Sequence, residues 1–171
     1  MAFLRAGHPS EWTVLQGRGV WLRPPQSSDY GSWAELRTLS RAHLTPWEPA
    51  WPRDDLTKSA YRRRLKFYQR EARDDLGYAF LLFQSESDRL IGGVTLSNVR
   101  RGVTQSAMLG YWMGLPFAGR GYMSAAVRTA LPYAFETLRL HRVEAAVQPT
   151  NDASIRVLRR VGFIKEGLAR R

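Results

Sequence analysis

The segment that most constrains the fold of this chain runs from residue 105 to residue 138. Residues 105–113 read as a strand and lead through Leu115-Pro116-Phe117-Ala118 into Gly119-Arg120-Gly121. Beyond the turn, Met123, Val127, Ala130, Leu131, Ala134 and Leu138 recur at helical spacing. A strand that turns on two glycines into an amphipathic helix requires a sheet with that helix packed on its face. The turn also has a chemical preference. Gly119 and Gly121 can take backbone angles closed to other residues, and the helix's first amides lack intrahelical partners. Their N–H groups therefore converge on an anion, with the helix dipole behind them. Arg120 adds a charge able to pair with a phosphate oxygen. Glycines at such a turn also serve as plain loop punctuation, so the chemistry needs support from elsewhere in the chain. Pro132 is expected to bend the helix or weaken its hydrogen bonding.

Upstream, residues 1–18 read as an irregular lead-in and Val20–Arg23 as a short strand stopped by Pro24-Pro25. Ser27, Ser28 and Asp29 can cap a helix carrying Tyr30, Trp33, Leu36 and Leu39. The loop 44–52 holds three prolines with Trp47 and Trp51, which makes it stiff and aromatic. Residues 56–73 follow as a helix with Tyr61, Leu65 and Tyr68 on one side and Arg62-Arg63-Arg64 mostly on the other. Residues 78–84 and 90–99 are strands of a hairpin across a turn at 85–89.

Downstream, residues 142–148 alternate as a strand. Asn151 or Asp152 then caps a short helix with Ile155, Leu158 and Val161 apolar, and Gly162 is the left-handed stop before a strand beginning at Phe163. The order β, α, α, β, β, β, α, β, α, β predicts an α/β chain with a mixed sheet and helices on both faces. The sheet is expected to be antiparallel in the middle and parallel around the glycine turn.

At 171 residues and 44% hydrophobic, with no linker-like stretch, residues 1–171 read as a single domain. The apolar runs are too short for a membrane span and the start has no signal-like run, so no membrane partner and a cytoplasmic location are expected. The absence of cysteine excludes disulfides, thiolate zinc sites and thiol catalysis. His8, His43 and His141 are scattered outside metal-binding spacing, so no metal is expected. The formal charge of +11 attracts anions; nucleic acid, a ribosome and an anionic cofactor all fit. The basic pairs and triplets are spread along the chain without an RNP-type, helix-turn-helix or zinc-finger pattern, which argues against direct nucleic-acid binding.

The element order, the glycine turn and a second motif resemble the GCN5-related N-acetyltransferases over about residues 18–170. Members carry an Arg/Gln-x-x-Gly-x-Gly/Ala turn for the pyrophosphate of acetyl-coenzyme A, which falls here on Ala118-Gly119-Arg120-Gly121-Tyr122-Met123. Ala118 departs from that pattern, and so does Met123, which is expected to leave less room for phosphate. Asn-x-x-Ala-x-x-Leu-Tyr-x-x-x-Gly-Phe is matched in spacing by Asn151, Ser154, Val157, Leu158, Gly162 and Phe163, with Leu158 where many relatives have the tyrosine that protonates the departing thiolate. The Asn-x-x-Ser version, Gly110-Tyr111-Trp112, the 44–52 loop and Glu166-Gly167 look like the subgroup that acetylates ribosomal-protein N-termini, the RimJ and RimL type. The resemblance implies a further strand after Glu166-Gly167. With the sequence at Arg171, that strand is either cut away or absent, and its absence would expose an unpaired sheet edge.

What the resemblance implies for the site is specific. Acetyl-CoA would lie on a sheet splayed at the cofactor site. Its binding residues would be Gly119, Arg120, Gly121, Tyr122, Met123 and Ser124, with free backbone groups near Met113 and Leu115 holding the pantetheine arm and polarising the carbonyl. Asn151 would contact the pantetheine or a water, and Ser154 would be the proton donor; plain helix capping is the alternative for both. Glu48 is the candidate base or anchor for the incoming ammonium. Trp47, Trp51 and Tyr111 are candidate walls of the acceptor pocket. The expected activity is acetyl transfer to the α-amine of a protein or peptide N-terminus, such as a ribosomal protein. Acetylation of a small amine and a non-catalytic CoA- or RNA-binding module are the alternatives.

Overall fold

The computed structural model describes residues 13–169. Among them one sheet takes its strands in chain order: β1 (Leu15–Gly17), β2 (Val20–Arg23), β3 (Tyr78–Gln84), β4 (Leu90–Arg100), β5 (Ser106–Met113) and β6 (Arg142–Glu144). Pairs from β1 to β5 are antiparallel, and β5 pairs with β6 in parallel. The helices are α1 (Tyr30–Leu39), α2 (Arg41–Leu44), α3 (Lys58–Arg73), α4 (Tyr122–Pro132) and α5 (Asp152–Arg160).

The residues of β3 and β4 are mostly buried on both faces, as a sheet covered by helices requires. α4 packs on β1, β2 and β4 through a stripe that includes Ala126, Val127 and Ala130, while α1 rests on β4 and α3 on β3. Leu22, Leu82, Ile91, Val94 and Leu96 form the centre of the core.

Several expectations are corrected. The lead-in contains β1 at Leu15–Gly17, hairpinned to β2 across Arg18 and Gly19; the rest of that lead-in, residues 1–12, lies outside the described residues. Leu39 is exposed rather than core. The helix beyond the glycine turn changes at Pro132, and Tyr133–Thr137 form a π-helical turn closed by the Leu138 N–H on the Tyr133 carbonyl at 2.9 Å. Proline has no N–H for the α-helical ladder, which lets the wider turn in.

β6 ends at Glu144 instead of continuing to residue 148, because only Ser106–Met108 of β5 pair with it. Gly162 does stop α5, with φ +94°. The expected strand at Phe163 is not formed among the described residues. There, residues 163–169 are tied to β6 by the Arg142 guanidinium on the Glu166 carboxylate and not by a backbone ladder.

Candidate functional site

The loss of pairing between β5 and β6 creates the centre of the site. From Leu109 to Met113, β5 keeps β4 on one edge and, among the described residues, has no strand on the other, so alternate backbone groups face an open cleft. The glycine turn lies at the end of this strand, and α5 begins on the far side of the cleft.

At the turn, φ is +76° for Gly119 and +83° for Gly121, and a Cβ on either would meet no atom within 4 Å. Glycine is therefore required by conformation rather than by crowding, and open space lies over the turn. The first hydrogen bond of α4 runs from the Ala125 N–H to the Gly121 carbonyl, so the Tyr122, Met123 and Ser124 amides have no helical partner. Ser124, 4% exposed, also has a buried hydroxyl without a partner. Arg18 and Arg120 line a depression of about 810 Å³ between β1 and α4, next to the turn, and enter no ion pair among the described residues. A pyrophosphate fits the donors at the surface of the turn: free amides and guanidinium groups outside any ion pair.

Individual residues of the turn differ from expectation. Met123, 6% exposed, packs its side chain into the core, so it contributes its amide and does not crowd an anion. The Tyr122 hydroxyl accepts from Gln84 Nε2 at 2.8 Å, which anchors the turn to β3. The Leu115 amide is not free: it donates to Ser40 Oγ at 2.9 Å. Ser40 is fully buried beside α2, and only the folded chain brings it to β5. Met113 sits at the open end of β5 as expected.

Asn151 caps α5, its Oδ1 accepting from the Ser154 N–H at 3.1 Å. Among the described residues its Nδ2 and the Ser154 hydroxyl have no protein partner, so capping leaves both available for a ligand. The Tyr111 hydroxyl donates to the Ser154 carbonyl at 3.3 Å, joining β5 to α5 across the cleft. Burial pushes the Tyr111 phenol above its ordinary range, with the bond to Ser154 opposing, so it stays a donor at neutral pH.

Tyr111 also lines a cavity of about 420 Å³ with Trp33, Trp51, Tyr61, Tyr68 and Trp112. Gly93 makes room for one of these walls, since a Cβ there would come within 2.5 Å of Trp112 Nε1. Two arginine–carboxylate pairs complete the lining. Arg37 grips Glu48 with both terminal nitrogens, at 2.8 and 2.7 Å, and Trp51 Nε1 donates to the same carboxylate at 2.7 Å. Arg64 holds Asp55 by one oxygen at 2.9 Å. The Arg37 guanidinium stacks over Trp51 and Trp112 at 4.2 and 5.0 Å, so that pair also shapes the aromatic wall.

This corrects two acceptor-side expectations. Both oxygens of Glu48 are occupied by donors, which makes it a positioning group and not a free base. Trp47, 40% exposed, is not among the residues lining the cavity, and Trp51 takes that place. Arg37, Arg64 and Asp55 were missed by sequence reasoning. Asp54-Asp55 before an arginine-rich helix was the only local signal for any of them.

A splayed mixed sheet, a glycine turn with unpaired amides at the end of its central strand and an Asn-capped helix across the cleft are the arrangement of an acyltransferase of the acetyl-CoA type. The family model for the acetyltransferase (GNAT) domain matches residues 20–164. The chain is 37% identical over 158 residues to "Probable N-acetyltransferase YjcK" of Bacillus subtilis (strain 168), covering 92% of this chain and 87% of that protein. It is 33% identical over 144 residues to the [ribosomal protein uS5]-alanine N-acetyltransferase of Escherichia coli (strain K12), covering 83% and 74%. The solved structure of Mycobacterium smegmatis RimJ in complex with CoA-disulfide superposes with a TM-score of 0.83 at 32% identity, covering 91% of this chain and 76% of that one.

The chain belongs to the GNAT acetyltransferase family and is an acetyl-CoA-dependent N-acetyltransferase. Among the described residues no cluster of metal-ligating side chains occurs, and no helix is long and apolar enough to cross a membrane.

Proposed function

We propose that the acceptor is the α-amine of a protein or peptide N-terminus, such as that of a ribosomal protein. The observation that carries this reading is the aromatic cavity at the open side of β5. At about 420 Å³ it is within the roughly 300–1,000 Å³ of small-ligand sites, and it suits the first residues of an extended chain. The relative in Escherichia coli named for acetylating an alanine of ribosomal protein uS5 supports the same class. A small polycation is the weaker fit, because each carboxylate of the cavity already faces an arginine.

Acetyl-CoA, when bound, supplies the activated acetyl thioester. The amides of Gly119–Ser124, with Arg120, would hold its pyrophosphate, and the open edge of β5 near Met113 would receive the pantetheine arm and polarise the carbonyl. Asn151 Nδ2 would donate to that arm. Ser154 Oγ would hold the proton that the departing sulfur takes up. Tyr111 fixes the distance between the acceptor cavity and Ser154. An α-amine has a pKa of about 8, so a useful fraction is neutral at pH 7 and water suffices to accept its proton.

Thiol release with acetyl-CoA and a panel of N-terminal peptides, diamines and amino acids tests the reading. Turnover is expected on peptides that differ in their first residues. Faster turnover on a diamine than on every peptide would overturn it.

A further inference from the structure

Arg62-Arg63-Arg64 is one run in sequence, but the fold sends its members to different places. Arg63 pairs with Asp54 at 2.6 Å, and Arg64 pairs with Asp55 at 2.9 Å in the wall of the acceptor cavity. Arg62 belongs to another set. Lys58, Arg62, Lys66 and Arg70 follow one another at intervals of four along α3, so they stand on one ridge of the helix, about 6 Å apart along its axis. All four are exposed and enter no ion pair among the described residues. The carboxylates flanking α3 in sequence are engaged elsewhere: Asp54 and Asp55 as above, Asp74 by Arg73 and Asp75 by Arg101. Glu71, the one acid of α3, is half-buried and lies half a turn round from Arg62.

Within the chain the ridge works against its own helix. Like charges four apart repel across each turn, and Lys58 opens α3, where the helix dipole disfavours a cation. Cations held in line without counter-charges suit a polyanion from outside. Beside them Phe67 is 47% exposed, with the Arg70 guanidinium 5.6 Å from its ring centroid.

We propose that this ridge is a docking surface for single-stranded RNA: Lys58, Arg62, Lys66 and Arg70 contact phosphates of one strand, and the Phe67 ring stacks on a base. The charges recur along a line, as phosphates do along a strand, and the exposed ring beside them favours a nucleic acid over an acidic peptide or an anionic bilayer. Binding of this kind reads no base edges. It therefore needs none of the sequence motifs whose absence argues against a dedicated nucleic-acid module. Tyr61, Arg64 and Tyr68, on the inner side of α3, line the acceptor cavity, so RNA on the ridge would hold that cavity beside a ribonucleoprotein surface. The assignment does not depend on which amine the cavity takes.

The experiment uses the full chain and fluorescein-labelled single-stranded RNA of about twelve nucleotides, oligo-U and oligo-C, read by anisotropy between about 50 and 200 mM salt. The wild type is expected to bind both, with Kd of about 10⁻⁴–10⁻⁶ M. The fourfold variant Lys58→Gln/Arg62→Gln/Lys66→Gln/Arg70→Gln should weaken binding about a hundredfold at the low-salt end. It should also reduce the salt slope by about 3, since each single-strand phosphate contact contributes about 0.7. Phe67→Ala should weaken binding about tenfold and leave the slope unchanged. A control with Arg100, Arg156, Arg159 and Lys165, all exposed, changed to Gln has the same net charge as the ridge variant and should stay within about threefold of the wild type. The rise in melting temperature with acetyl-CoA reports that each variant is folded. Lys66→Gln/Arg70→Gln, which leaves the start of α3 intact, should show about half the change in slope and decides the question if the fourfold variant does not fold.

Equal losses in the ridge variant and the control would show that bulk charge carries the binding and would overturn the proposal. So would a wild type that binds neither RNA at the low-salt end. Tighter binding to polyglutamate or to phosphatidylglycerol vesicles than to RNA would overturn it as well.

Discussion

At the glycine turn, Tyr122, Met123 and Ser124 present main-chain amides, and two of the side chains there point elsewhere: Met123 into the core, the Tyr122 hydroxyl to Gln84. The acceptor cavity is the reverse. Its lining is side chain, drawn from α1, the 45–57 segment, α3, β3 and β5, and its charges are paired across those elements. The contrast suits the ligand proposed for each half. A pyrophosphate is the same in every reaction and can be held by backbone dipoles, which tolerate many substitutions as long as φ is kept. An acceptor has to be told from other amines, and that needs side-chain shape and charge.

If the donor half depends on backbone conformation, Gly121→Val should break it most severely. A β-branched residue at φ +83° costs about 1–2 kcal/mol of local strain. The reoriented amides should lower acetyl-CoA affinity by about 100-fold, read as loss of the ligand-induced rise in melting temperature. Arg120→Ala, which keeps the backbone, should cost far less; an equal loss would mean that the side chain carries the binding.

Ser154→Ala tests the junction of the halves. Loss of the proton donor should reduce kcat by about 10²-fold with little change in KM for either substrate. A change confined to KM would assign Ser154 to binding instead.

On the acceptor side, Glu48→Ala strips the partner from Arg37, whose side chain is 8% exposed, and should lower stability by about 3 kcal/mol in chemical denaturation. Peptide KM should rise while acetyl-CoA affinity in the folded protein stays the same. Coupled loss of both would mean that the halves do not act independently.

The smallest effect is with pH. Burial, first among the causes, raises the phenols of Tyr61, Tyr78, Tyr111 and Tyr133 above the ordinary 10.0. Above pH 10 the unfolded chain releases these protons and the fold retains them. The native state then binds more protons, and stability falls as pH rises through that window. Denaturation midpoints between pH 8 and 11 should be level and then decline.

The legibility of the two halves differed for the same reason. Gly119, Gly121, the helix after them and the Asn151 cap with its Gly162 stop are local signals, because turns and caps are settled within a few residues. Glu48 and Trp47 were proposed from the character of their loop alone. Nothing local indicates that Arg37, eleven positions earlier, closes on Glu48, or that Trp51 rather than Trp47 turns toward the cavity. The strand expected at Phe163 had the right neighbours in sequence, but pairing is decided by a partner edge.

By itself, the sequence determined β2 to β5 and the helices α1, α3, α4 and α5 in their order, the left-handed glycines and the unpaired amides that open α4. Each follows from backbone sterics and hydrogen bonding over a single turn. Tertiary structure alone decided where β5 and β6 part, that Ser40 takes the Leu115 amide, and that Arg37 closes on Glu48 and Arg64 on Asp55 at the cavity. Those outcomes depend on which distant side chains pack into the same small volume, and a chain fixes that only when its core closes.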